Sequence, residues 1–237
     1  MRVRLKVLIL LLFVSLSLYA NPFSSEISLV IIDAGHGGKD PGAISNGVNE
    51  KDIVLSIAKF LDEELKERGF NTLLTRTGDS FLELQERSDI ANSASFDISG
   101  YPIFISIHAN SASSVEASGF EVFIRSSEKK GAFISKATSD NLLLKYSSYT
   151  NSQLNRYVNI VNKRLSTAVV ESVRENFPSL KIRGVKEGDL WVLNATWMPS
   201  ILIEVGFITN ERERSNLTNE EYQRRMASAI AAAIEEA

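Results

Sequence analysis

Three largely apolar segments of strand length place the strongest constraint on the fold of this chain. They are ISLVIID at 27–33, IFISI at 103–107 and ILIEV at 201–205. Segments that do not alternate between apolar and polar residues are typical of strands covered on both faces. Strand and helix patterns alternate along the chain, and this order predicts an α/β layered fold with helices on both faces of a central sheet.

The segments between these strands have the spacing of amphipathic helices. Residues 52–68 place four aliphatic side chains on one stripe and end in cations and Gly69, as helix C-termini favour. Because no repeat or evident linker interrupts the order, we expect a single domain over residues 21–237. Further helices are predicted at 82–93, 155–176 and 219–236, with a strand at 70–75.

The first twenty residues have the pattern of a secretory signal peptide. MRVRLK is a basic start, VLILLLFVSLSLYA is an apolar stretch, and Ala20 is a small residue suited to cleavage. The apolar stretch is short for a membrane span, although an uncleaved N-terminal anchor is the alternative. We therefore expect an exported protein of the periplasm or cell envelope, with no integral membrane segment after signal removal.

Composition excludes several classes of site and partner. The chain has no cysteine, which excludes a lipoprotein attachment site, disulfides and Cys-ligated metal. The formal net charge is −3, and residues 1–20 contribute three cations and no acid, so the exported domain is more acidic still. Nucleic-acid binding requires clustered Lys and Arg, so nucleic acid is not an expected partner.

Polar residues at the ends of the apolar strands form a candidate site. His36 lies just past 27–33, His108 follows 103–107, and Glu204 lies within 201–205. If these strands are parallel neighbours, the three side chains emerge at one edge of the sheet, where open α/β folds place their sites. A charged group in an apolar strand is costly, which favours a functional role over a structural one.

The glycines around His36 do not fit a phosphate-binding loop. GHGGKD lacks the last glycine of GxGxxG and the spacing of GxxxxGK[ST]. Glycines beside a ligand instead let a substrate or metal come close to the backbone. A catalytic zinc site needs three protein ligands, and two histidines with one carboxylate are a known set. Glu50 is the candidate third ligand, with an ordinary acidic residue at a helix N-terminus as the alternative.

A series of motifs in consistent order resembles the zinc-dependent N-acetylmuramoyl-L-alanine amidases often called amidase_3. The motifs are IIDAGHGGKDPGA, NEKDIVLSIAKFL, LLTRTGD, RSDIAN, IFISIHANS, SGFEVF, RGVK and WVLNATWMPSILIEVGFITN. The resemblance implies a mixed, largely parallel sheet between helices. It also implies that His36, Glu50 and His108 bind one zinc ion and that Glu204 is the catalytic acid/base, with no organic cofactor.

The same resemblance implies the reaction and the partners. The substrate would be peptidoglycan, cleaved at the amide bond between N-acetylmuramic acid and L-alanine of the stem peptide. An activator or a cell-division protein is a possible partner. Two other functions stay open: a catalytically silent domain that binds wall fragments or a division partner, and a zinc peptidase that acts on another amide.

Other motif residues have a structural interpretation. Arg76, Asp79, Arg87 and Asn92 match family positions, and we expect them to brace loops through salt bridges and caps. Asn110 either orients substrate or caps a turn. The remaining candidates for stacking on sugar, with core packing as their alternative, are Tyr101, Trp191 and Trp197.

Residues 126–154 form a long segment without a clear structural pattern, which we interpret as an insert or loop. Loops of this length are usually functional or disordered. Two alternatives stay open: a surface excursion with one docked turn, or a regulatory lid over the zinc. As a lid it would offer Glu128 or Asp140 as a carboxylate ligand.

Overall fold

The computed structural model describes residues 21–23, 25–127 and 139–237. The predicted signal at 1–20 and Glu128 of the insert lie outside the described residues. None of the helices in the described ranges has both the length and the apolar character that a bilayer span requires.

A six-stranded sheet forms the centre of the domain. Its strands, in chain order, are β1 (Ile27–Ala34), β4 (Thr72–Leu74), β5 (Tyr101–Asn110), β6 (Phe120–Arg125), β7 (Ile182–Gly188) and β8 (Ser200–Phe207), with a separate hairpin of β2 (Ile44–Ser45) and β3 (Val48–Asn49). The spatial order is β4-β1-β5-β8-β6-β7. The first four strands are parallel, β6 is antiparallel to β8, and β7 is parallel to β6. The predicted mixed, largely parallel sheet is confirmed.

Helices cover both faces of this sheet. They are α1 (Glu50–Glu67), α2 (Leu84–Ser93), α3 (Asp140–Tyr146), α4 (Asn151–Asn176), α5 (Trp191–Ala195), α6 (Glu211–Leu217) and α7 (Glu220–Glu236). On one face α7 packs against both α1 and α4, and on the other α2 contacts α5. Helix α4 begins four residues before the predicted start at 155, because Thr150 and Gln153 form a capping box there.

The buried side chains match the apolar segments of the sequence. Val30, Ile31 and Ile32 of β1 are fully buried, as are Ile103, Phe104 and Ile105 of β5 and Ile201 and Ile203 of β8. Strands buried on both faces hold their ends in fixed positions, because every residue of the strand is packed. The side chains at the carboxyl ends of β1, β5 and β8 are therefore placed on a rigid frame.

The described C-terminal part of the insert docks at the edge of the sheet away from these carboxyl ends. Within α3, Leu142 and Tyr146 are buried, and the Tyr146 ring centroid lies 5.4 Å from that of Phe23. Phe23 also lies 5.4 Å from Tyr101, the first residue of β5. We call this the amino edge of the sheet, and the opposite one, where β5 ends beyond His108, the carboxyl edge.

Candidate active site

His36 lies in a tight loop directly after β1. Its backbone has φ 58°, in the left-handed region that a non-glycine residue adopts only when its surroundings hold it there. Gly37 and Asp40 close the loop by exchanging two backbone hydrogen bonds of 2.9 and 3.1 Å. The Asp40 carboxylate lies 2.8 Å from Nδ1 of His36. That contact fixes the ring so that Nε2 points toward Glu50.

Glu50 joins the two histidines. It is the first residue of α1 and only 4% exposed, and its Oε1 lies 3.2 Å from Nε2 of His36 and 3.0 Å from Nδ1 of His108. Backbone amides of Ala43 and Ala109 donate to the same carboxylate. A carboxylate that served only the helix dipole would face solvent, so the structure brings Glu50 into the cluster.

Two glycines are required where His36, Glu50 and His108 converge. A Cβ on Gly35 would lie 2.3 Å from the His108 ring, and one on Gly42 would lie 2.6 Å from Oε2 of Glu50. Real Cβ atoms essentially never lie within 3.0 Å of a neighbour, so neither position accepts a side chain without displacing His108 or Glu50. The glycines of the motif therefore serve close approach, as the sequence suggested.

Charge in the cluster is balanced between one carboxylate and two imidazoles. Burial alone would raise the pKa of Glu50, but hydrogen bonds and charges from His108 and His36 outweigh it and hold the pKa of that carboxyl far below its usual range. Burial opposes a charge on His36, yet its contacts with Glu50 and Asp40 raise the pKa of the imidazole. Glu50 is therefore an anion that stabilises positive charge between the rings.

The donor set fits a zinc ion. His36, Glu50 and His108 each offer one ligand atom, and these atoms lie within 4.8 Å of one another. Two imidazoles and one carboxylate are donors that zinc accepts in catalytic sites, where one position stays open. His36 also has an outer carboxylate, Asp40, of the kind that orients metal-binding histidines.

Glu204 lies beside this cluster on the neighbouring strand. It pairs in register with His108 of β5 on one side and with Glu121 of β6 on the other. Its Oε2 is buried and has no hydrogen-bond partner among the described residues. Burial, opposed by the nearby histidines and reinforced by Glu50 and Glu121, raises the pKa of Glu204 to about 7. A carboxyl with such a pKa can both accept and donate a proton near neutral pH.

Glu121 is a site neighbour that the sequence reasoning missed. This buried carboxylate accepts from Arg183 at 2.6 Å, from Lys186 at 2.5 Å and from the Asn110 side chain at 2.6 Å. The signal was available, because Glu121 is a charged residue inside the apolar strand FEVFI, as Glu204 is inside ILIEV. Asn110, for which two roles stood open, therefore holds Glu121 and also caps the backbone N–H of Ser111.

Two buried arginines hold the backbone of the His36 loop in place. Arg87 donates to the Asp33 carboxylate at 2.8 Å and to the His36 carbonyl at 2.6 Å. Arg76 donates to the carbonyls of Ala34 and Gly35. Sequence reasoning expected both arginines to brace loops but did not identify Asp33, whose partners lie more than 40 residues away.

Asp79 and Asn92 also hold backbone in place. Asp79 accepts from the Gly38 amide at 2.7 Å and from the Lys51 ammonium at 2.7 Å. The Asn92 side chain donates to the Ala195 carbonyl and accepts from the Trp197 amide. Neither side chain contacts the histidines, so both act on the loops around the site.

A cleft of about 380 Å³ opens beside the histidines. Its wall is mainly apolar and includes α5, where Trp191 is 52% exposed. Of the other aromatic candidates, Tyr101 is buried at the amino edge and Trp197 packs against the core. The cleft, the cluster of His36, Glu50 and His108, and Glu204 occupy one region of the carboxyl edge.

The whole arrangement matches a known family. The model of the Amidase_3 family, described as N-acetylmuramoyl-L-alanine amidase, matches residues 30–236. The chain belongs to this family. The resemblance read from the motifs is therefore confirmed, and with it the enzyme class, an N-acetylmuramoyl-L-alanine amidase acting on peptidoglycan.

Individual relatives are similar to the chain over most of its length. The chain is 36% identical over 210 residues to protein YqiI of Bacillus subtilis, spanning 89% of this chain and 84% of that protein. It is 32% identical over 223 residues to the N-acetylmuramoyl-L-alanine amidase AmiA of Salmonella typhimurium, spanning 87% and 74%. Among solved structures, the CwlD amidase from Clostridioides difficile in complex with the GerS lipoprotein superposes with a TM-score of 0.70 at 29% identity, spanning 88% and 97%.

Proposed function

We propose that this amidase is zinc-dependent, that His36, Glu50 and His108 hold the single zinc ion, and that Glu204 is its catalytic acid/base. The observation that carries the proposal is the convergence of three ligand atoms within 4.8 Å, on the strand edge where Glu204 presents an unpartnered carboxylate oxygen. The family match supports the same assignment, since zinc dependence is general among these amidases.

The residues of the site divide the chemistry between them. Zinc, when bound, supplies Lewis acidity that polarises the substrate carbonyl and makes water a better nucleophile. Glu204 accepts a proton from the attacking water as the water oxygen bonds to the lactyl carbonyl carbon of N-acetylmuramic acid. As the carbon–nitrogen bond breaks, Glu204 returns the proton to the departing amine of L-alanine. The products are the free lactyl carboxylic acid on the glycan and the stem peptide with a free amino terminus.

The surroundings of Glu204 suit this double role. Burial beside Glu50 and Glu121 favours the protonated form, and the imidazoles favour the charged form, which together give a pKa of about 7. Glu121 is instead engaged in ion pairs with Arg183 and Lys186. The paired carboxylates on adjacent strands thus have different environments and different roles.

Export to the periplasm or cell envelope is the second part of the proposal. It rests on the basic and apolar pattern of residues 1–20 and on the chemistry of a substrate that lies outside the cytoplasmic membrane. The relative CwlD is described in complex with the lipoprotein GerS. By analogy, we propose that an envelope protein activates or positions this enzyme.

Digestion of purified muropeptides followed by mass spectrometry tests the proposed reaction. Protein beginning at residue 21 should release intact stem peptide and leave unbroken glycan, and it should contain about one zinc per chain. Cleavage at another amide would instead identify a peptidase. Protein that binds wall fragments and carries zinc but gives no product would be a silent binding domain.

The substitution Glu204→Gln tests the acid/base. The amide keeps the shape of the side chain but removes the proton acceptor, so kcat should fall about 100-fold or more. Zinc content, measured by plasma mass spectrometry, should stay at the wild-type value. If zinc were lost together with activity, Glu204 would be a ligand rather than the base.

A further inference from the structure

The cleft beside the histidines has exposed apolar side chains at its opening. Leu84, at the start of α2, is 54% exposed, and Trp191, at the start of α5, is 52% exposed. Both residues line the same cleft as His36 and His108. Large exposed apolar groups around a concave site are typical of ligand-binding surfaces.

The fold of α5 explains why Trp191 faces outward. This helix has only five residues, and Val192 and Leu193 are buried against the sheet and core. The Trp191 side chain lies at the cleft and stays half exposed, while its two helix neighbours are anchored in the core. An exposed indole on an anchored helix presents a rigid flat surface, which costs little conformational entropy when a ligand binds.

Charge distinguishes the two sides of the reaction centre. On the cleft side, Asp40 and Glu83 contribute two carboxylates, and Lys39 lies over the Phe81 ring. Beyond Glu204, on β6 and β7, Glu121 is paired with both Arg183 and Lys186, so that side carries an excess positive charge. A ligand rich in carboxylates is favoured on the side of Arg183 and Lys186, and an uncharged one in the cleft.

We propose, as an extension of the proposed function, that Trp191 binds the N-acetylhexosamine ring next to the scissile bond. Amide-linked N-acetylmuramic acid and its neighbouring sugar are uncharged, whereas the stem peptide carries carboxylates. The C–H face of the sugar packs on the indole, with Leu84 covering it and the carboxylates of Asp40 and Glu83 accepting from sugar hydroxyls. The peptide then leads across Glu204 toward Arg183 and Lys186.

Fluorescence offers a direct test that does not depend on turnover. The chain has two tryptophans, so Trp197→Phe leaves Trp191 as the sole indole. Titration with the uncharged disaccharide of two N-acetylglucosamine rings should then shift the emission saturably. Calorimetry should give a Kd about tenfold higher for Trp191→Ala than for the wild type, with Trp191→Phe between them. Ile160→Ala, an exposed apolar residue on α4, is the matched control and should bind as the wild type does.

A pair of substrates separates this inference from the proposed function. One is the disaccharide peptide, and the other is a lactoyl peptide with the same scissile amide but no sugar ring. In the wild type, kcat/KM should be higher for the sugar-bearing substrate than for the lactoyl peptide. In Trp191→Ala this preference should fall about tenfold, mainly because KM of the sugar-bearing substrate rises. An equal loss on both substrates, or an unchanged Kd for the disaccharide, would overturn the inference. If the wild type cleaved neither substrate, the proposed function would be wrong. The fluorescence titration would still show whether Trp191 binds the sugar, because it does not depend on turnover.

Discussion

Two connecting segments of this chain follow strands of the same sheet, and their described residues lie at opposite edges of it. Residues 35–43, after β1, hold His36 at the carboxyl edge, and their backbone is fixed by Arg76, Arg87 and Asp79. Residues 126–150, after β6, leave from the amino edge because β6 is antiparallel to β8. There α3 buries Leu142 and Tyr146 against the core.

Strand direction and the hydrogen bonds that hold the backbone, rather than loop length, determine where the two segments lie. The shorter segment accepts hydrogen bonds from two buried arginines, at the carbonyls of Gly35 and His36. It also contacts Glu50, through the His36 ring and the Ala43 amide. Each of those contacts restricts the position of His36, which zinc binding requires to within fractions of an ångström. The described flanks of the longer segment make their contacts at the other edge, so they place no side chain beside the histidines.

The largest effect on the first segment is expected from Gly35→Ala. The added Cβ would lie 2.3 Å from the His108 ring, so the ring or the backbone must shift and the ligand atoms separate. We expect zinc affinity, measured by competition with a chelating dye, to fall about 100-fold or more. Gly78→Ala is the matched control, because a Cβ there meets nothing within 4 Å. Wild-type affinity in Gly35→Ala would mean that the close approach does not matter.

A smaller effect is expected from Asp40→Asn. Asp40 holds Nδ1 of His36 at 2.8 Å, and the amide keeps the shape but loses the charge that orients and polarises the ring. Outer carboxylates of this kind contribute about 10-fold to 100-fold to metal affinity, and we expect about 10-fold here because Asp40 is partly exposed. Asp79→Asn, in the next loop and without contact to a histidine, serves as the control. Equal losses in the two variants would assign the effect to loop stability instead.

Sequence reasoning reached the parts of the molecule that depend on local pattern. The central strands and the three long helices α1, α4 and α7 follow from apolar runs and helical spacing, and both reappear in the structure within a few residues of the predicted bounds. Strands β6 and β7 were not predicted. The β7 sequence, IRGVKEG, contains two glycines and forms the outermost strand of the sheet, where its residues alternate between partly and fully exposed. Its pairing with β6 is decided by tertiary packing, which no local pattern records.

The same division applies to the site. His36 and His108 follow predicted strands and Glu204 lies near the end of another, so the rule for sheet edges brings them together from sequence alone. Glu50 needed the family resemblance, because an acidic residue at a helix start has an ordinary explanation. The partners Asp33 and Glu121 escaped notice, because their charges are neutralised by arginines at 54 and 62 residues' distance along the chain. Such pairings become visible only when the fold is known.

The smallest effect is expected from shortening the second segment. Residues 128–138 are replaced by a short Gly/Ser linker. Zinc content and turnover of soluble muropeptide should each change by less than about twofold, because the residues that flank the replaced stretch, Ser127 and α3, are attached at the amino edge. Leu142 and Tyr146 stay in place in this variant, so the core keeps its packing. Turnover and zinc content are compared in the two purified proteins, with thermal unfolding as the check that both are folded. A severalfold rise in turnover at unchanged zinc content would contradict this expectation and support the regulatory lid. The second segment would then differ from the first in regulating the site rather than in lying away from it.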